Sequence, residues 1–154
     1  MKIPIQEAIL SGDWLVIDIP DENYKYKIRI VEFLKMNLQD IDNKSRLSFL
    51  TDSGNLWILK LELINIGKIQ LPSVAPQSCL VLHDQDDCEF ETLKELSLTY
   101  SSDLGKKTGL RRFVSEESPF SPKIKGKGAV AFFLPDDEEA EYFISTRIGT
   151  IQGA

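Results

Sequence analysis

The sequence predicts an all-β fold: a single antiparallel β-sandwich, immunoglobulin-like, of about seven or eight strands with one long loop, formed by residues 1–154 as one domain. Three observations predict it. Apolar residues recur with period two, as in "YKYKIRI" and "LWILKLELI". Turn residues (Asp, Gly, Pro, Ser) part these runs. Long amphipathic helices are not interleaved with them, as an α/β sheet would require. A chain of 154 residues suits one domain and buries roughly 68–70% of its extended surface without a staple.

The start, "MKIPIQEAILSGDWLV", has one lysine but neither an unbroken apolar region nor a small-residue cleavage site. It does not read as a signal peptide, so a cytoplasmic location is expected, with secretion the alternative if a leader has been removed. In "YKYKIRI", Tyr24, Tyr26, Ile28 and Ile30 face one way and Lys25, Lys27 and Arg29 the other, the mark of a half-buried strand. The parity continues through Leu34, Met36 and Leu38, interrupted by Glu32; a short helix over 31–41 is the competing reading.

Next, Asp52-Ser53-Gly54 reads as a three-residue hairpin loop, with glycine at its left-handed position. That register sets Phe49 opposite Trp57 and Leu47 opposite Leu59. Leu61 and Leu63 continue the buried face, Lys60 and Glu62 point out, and Asn65-Ile66-Gly67 stops the strand. "SCLVLHDQDDCEFET" reads as a second hairpin centred on Gln85, with Leu82 opposite Cys88 and Leu80 opposite Phe90. Cys79 then points outward, on the other face from Cys88, and both are expected as free thiols. Residues 92–121 read as a long loop with a turn of helix near "ETLKEL"; such loops are often functional. "GAVAFFLP", an acidic turn, "EYFIS" and "RIGTIQ" complete the strands.

Composition restricts function. A net charge of −6 opposes non-specific binding to nucleic acid or anionic lipid, and no run is long and apolar enough to span a membrane. Neither a nucleic-acid partner nor membrane insertion is expected, and the oligomeric state is open. Gly126-Lys127-Gly128 lacks the spacing and hydroxyl of a phosphate loop, and an apolar strand follows it in place of a helix. "LGKKTG" fails likewise. These glycines suit a bend into an edge strand. Neither acidic turn, Asp84–Glu89 or Asp136–Glu141, fits an EF-hand register. His83 reads as an exposed strand-end residue, about 13 Å along the strand from Cys79 and too far for a catalytic pair. No catalytic residue, metal site or cofactor is expected. The candidate contact residues are Arg111, Arg112, Phe113 and Phe120, because arginine beside aromatics is an interface composition. The alternative is that the two phenylalanines tuck into the core.

"NLWILKLELINIGK", "LVLHDQDDCEFE" and "SPKIKGKGAVAFFLPDD" occur in that order. Together they resemble the bacterial immunoglobulin-like β-sandwich family called telokin-like, over about the last two-thirds of the chain. The matching positions are Asn65, Asp84, Asp86, Gly128, Phe132 and Pro135. Asp87 departs from the glycine usual there, and no leader is expected from the opening residues, although many relatives are secreted or lipid-anchored. The resemblance implies a domain without catalytic residues. The expected function is a non-enzymatic module that binds a protein partner through loops of the sandwich. The alternatives are an enzyme using carboxylates or a metal on the acidic turns, and an accessory domain packing on a partner through a sheet face.

Overall fold

The computed structural model describes residues 2–36, 53–93 and 119–154. They form a β-sandwich of two antiparallel sheets. The larger runs β7-β4-β3-β2-β9, from β2 (Leu15–Ile19), β3 (Tyr24–Lys35), β4 (Asn55–Asn65), β7 (Lys125–Leu134) and β9 (Thr150–Gly153). The smaller runs β1-β8-β5-β6, from β1 (Ile3–Pro4), β5 (Leu80–His83), β6 (Glu89–Glu91) and β8 (Phe143–Thr146). The described strands number nine, above the expected seven or eight, because β1 and β6 are only two and three residues long. Two short helices, α1 (Ile5–Ser11) and α2 (Ala75–Cys79), were not legible as strands or long helices and join the layers.

The core is what the alternation dictates. Leu15, Ile17 and Ile19 of β2, Tyr26, Ile28 and Ile30 of β3, and Leu59, Leu61 and Leu63 of β4 are all buried in one cluster. Leu80, Leu82 and Ile144 face them from the smaller sheet. Fully burying such a side chain stabilises by about 1.5–3 kcal/mol, so each parity match counts.

Strand β3 continues through residue 35, which rejects a helix there; residues 37–41 lie outside the described ones. Its parity does not continue. A bulge between Ile30 and Glu32 adds one residue, so Phe33 turns toward the core and Leu34 is left 37% exposed. An inserted residue reverses every later side chain, which strict alternation cannot foresee.

The expected first hairpin needs correction. The ladder positions beside Trp57 are held by Lys35 and Phe132, and those beside Leu59 by Phe33 and Val130. The expected partners Phe49 and Leu47 lie outside the described residues. A central strand has two edges, and distant segments occupy both. Trp57 is half-buried. The second hairpin exists with its register moved by two: Leu82 opposes Phe90 and His83 opposes Glu89. An even shift preserves faces, so Leu82 remains in the core. Asp84 sets the loop, since its Oδ1 accepts from the amides of Asp86 and Cys88, both at 2.9 Å. Asp87 has φ 66°, a left-handed position that favours glycine and tolerates aspartate. The departure from glycine there is thus one the backbone accepts.

Both cysteines are free, but their places are exchanged. Cys79 ends α2 and is buried, whereas Cys88 is exposed at the hairpin base. Strand parity did not apply to a helical residue. His83, expected to be exposed, keeps only 13% of its side chain accessible.

The glycines of β7 serve a strand at the outer edge of the larger sheet, as expected. Gly126 has a specific reason: a Cβ there would meet Cε1 of Phe120 at 2.3 Å. Phe120 pairs with Leu71 in an isolated bridge and is fully buried over that glycine.

Candidate functional site

Where β3 and β4 leave the core beyond the bulge, the sandwich is open among the described residues. Phe33 and Trp57 stack there, with ring centroids 4.7 Å apart. Tyr142, just before β8, meets Phe33 edge-on at 6.1 Å and Phe90 of β6 at 6.0 Å. The first turn of α1 closes one side, anchored by the Ile5 amide donating to the Tyr142 carbonyl at 3.0 Å. Between them lies a cleft of about 370 Å³. Its floor is Phe33, Trp57, Tyr142 and Ile5; its rim is Lys35 and the loop bearing Asp137, Glu138 and Glu141.

Sequence separates the two acidic turns by about fifty residues; the fold joins them. The Glu141 amide donates to Gln85 Oε1 at 3.0 Å. Burial pushes the Tyr142 phenol above its ordinary pKa of 10.0, and the carboxylates of Asp137 and Asp84 add to the shift. One carboxylate from each turn therefore acts on this hydroxyl. The other acids are divided. Asp87 pairs with Lys2, Glu91 with Arg147, and Glu89 stands 3.5 Å from His83 Nε2. Glu138 and Glu141 have no cationic partner among the described residues.

The outer face of the larger sheet is organised differently. Glu62 pairs with Arg29 and, at 3.0 Å, with Lys125. Hydrogen bonds from these cations, Arg29 foremost, hold its carboxyl below the ordinary value of 4.5. Arg29 and Lys125 also lie over the Trp14 ring, 5.0 and 5.5 Å from its centroid.

Of the contact residues expected from sequence, Phe120 is fully buried and belongs to the core, so the alternative reading holds for it. Arg111, Arg112 and Phe113 lie outside the described residues. The residues that line the cleft were not singled out. Phe33 was hidden by the bulge, and Trp57 was assigned to a fully buried face. Tyr142 read as part of an ordinary strand, although "DDEEAEY" sets it directly after the acids. Among the described residues, no three His, Cys, Asp or Glu side chains are grouped to hold a metal ion. No helix among them is long and apolar enough to cross a membrane.

No protein-family model matches the chain, and no curated protein sequence matches it. Solved structures do. The chain is similar in fold to the secreted protein MPT63 of Mycobacterium tuberculosis, with TM-score 0.58 and 10% identity over 93% of both chains. It is also similar to a conserved hypothetical protein of Bacillus anthracis, with TM-score 0.51 and 10% identity over 82% of this chain and 86% of that one. At such identity the likeness is one of fold alone. These neighbours are β-sandwich proteins whose names carry no enzymatic activity.

Proposed function

We propose that the chain is a non-enzymatic binding module that receives part of a protein partner in the aromatic cleft at the open end of the sandwich. One observation carries this reading: Phe33, Trp57 and Tyr142 line a cavity of about 370 Å³ under an exposed loop. That volume is at the lower end of ligand sites, roughly 300–1,000 Å³. Half-buried aromatics are also the residues that dominate binding energy at protein interfaces. The resemblance to telokin-like domains belongs to this proposal. Its key positions are structural ones: Asn65 and Phe132 are buried, and Asp84 sets a turn.

The test is a titration of isotope-labelled protein with a panel of short peptides, followed by amide and indole NMR shifts. The expected shifts centre on Phe33, Trp57 and Tyr142. Binding that moves only resonances elsewhere, or turnover of a peptide, would overturn the reading.

A further inference from the structure

We infer that the occupant of the cleft is a basic segment of a protein partner, with a lysine or arginine side chain laid along the aromatic floor and its charge met by the acidic rim. This rests on the proposed function and adds the chemistry of the ligand.

Three features point to it. First, the aromatic floor offers π-faces and edges to an aliphatic stem and its cationic head, a contact that suits long basic side chains. Second, among the described residues the rim is net negative: Asp137, Glu138 and Glu141 stand against Lys35. Glu91 is paired with Arg147, and on the outer face of the larger sheet Glu62 is paired with Arg29 and Lys125. Here Glu138 and Glu141 have no ion-pair partner among the described residues and are exposed. Third, the negative surface extends past the cleft. The link from Glu141 to Gln85 brings the hairpin tip with Asp84 and Asp86 alongside the rim. One amine would use only the part of this field nearest the cleft. A segment with several positive charges uses all of it, which favours a peptide over a small amine.

The chain has two tryptophans, so Trp14→Phe leaves Trp57 as the sole indole reporter in the cleft. Trp14 lies on the outer face of the sheet, beneath Arg29 and Lys125, and is outside the cleft. In that background, Trp57 emission is titrated with a short lysine–leucine peptide, its ε-acetylated form and n-butylamine. The expected result is saturable binding of the lysine peptide that weakens as salt rises. Acetylation should weaken it by about twofold to thirtyfold, the range of one cation–π contact. Glu138→Gln with Glu141→Gln should weaken it as well, with the melting temperature unchanged because both positions are exposed. Equal binding of the acetylated peptide would overturn the cationic inference while leaving the cleft as a binding site. Butylamine that saturates the signal when the peptide does not would overturn the peptide assignment. No response of Trp57 to any of the three would remove both the inference and the reading beneath it.

Discussion

The two ends of β4 use their polar groups in opposite ways. At its last residue, Asn65 is buried and fully engaged. Its Nδ2 donates to the carbonyls of Ile69 at 2.9 Å and Phe120 at 2.8 Å, and its Oδ1 accepts from the Gly67 amide at 2.9 Å. Its own backbone is bonded too, the amide to the Ile124 carbonyl and the carbonyl from the Lys123 amide. Phe120 fills the space above Gly126, so the side chains that meet at Asn65 are committed to the fold. Near the first residue of the same strand, about 26 Å away at ~3.3 Å per residue, Trp57 is half-buried and faces a cleft. Glu138 and Glu141 at that rim have no ion-pair partner among the described residues. The lesson is that one strand can lock the fold at one end and present a surface at the other. Satisfied groups hold the fold; unsatisfied ones are free to recognise something else.

The comparison breaks first at the closed end, where the largest effects are expected. Phe120→Ala should destabilise by about 3–5 kcal/mol, since it empties a fully buried site above Gly126. Asn65→Ala should follow at about 3 kcal/mol, roughly one for each of the three side-chain hydrogen bonds lost. Denaturant melts measure both. A cost under about 1 kcal/mol for either would mean that this end is not the lock described.

A smaller effect, of opposite sign, comes from the middle of the core. Tyr26 is fully buried, and its hydroxyl has no oxygen or nitrogen partner among the described residues, only the neighbouring Cys79 sulfur. Its polar neighbour is the thiol of Cys79, which is itself directed to the Ile148 carbonyl at 3.5 Å. The sulfur that remains is a weak acceptor. Tyr26→Phe should therefore leave stability unchanged or raise it by about 1 kcal/mol, the penalty of a buried polar group without a partner. A loss of more than that on chemical denaturation would assign the hydroxyl a bond.

The contrast between the ends also explains what the sequence revealed. The locking residues were readable: period two gave the buried faces of β3 and β4, Asn65 marked the end of a strand, and the glycines of "KGKG" announced an edge strand. Each depends on local pattern or on a single backbone requirement. The cleft was not readable because it depends on three non-local facts. A bulge after Ile30 re-aims Phe33, distant strands flank Trp57, and a side chain of one acidic turn bonds the backbone of the other. The reversed places of Cys79 and Cys88 have a similar cause, since strand parity was carried into a residue that is helical.

The smallest effect sharpens the comparison through pH. Glu62 lies toward the closed end, on the outer face, with Arg29 and Lys125 as partners. Their hydrogen bonds lower its folded-state pKa below 4.5. A lowered carboxyl binds its proton less readily when folded than when unfolded, so ionised Glu62 favours the native state. That contribution is present above the unfolded value and is lost as pH falls through the lower folded one. Glu62→Gln should then destabilise modestly at neutral pH, and the two proteins should converge in acid. Glu138→Gln with Glu141→Gln removes exposed, unpaired charges at the open end and should move stability by no more than about 0.5 kcal/mol at neutral pH. Melting curves of the three proteins from neutral to acid pH make the measurement. If the open-end double variant showed the same convergence in acid as Glu62→Gln, the acids at the rim would be paired as Glu62 is, and the distinction between the two ends would fail.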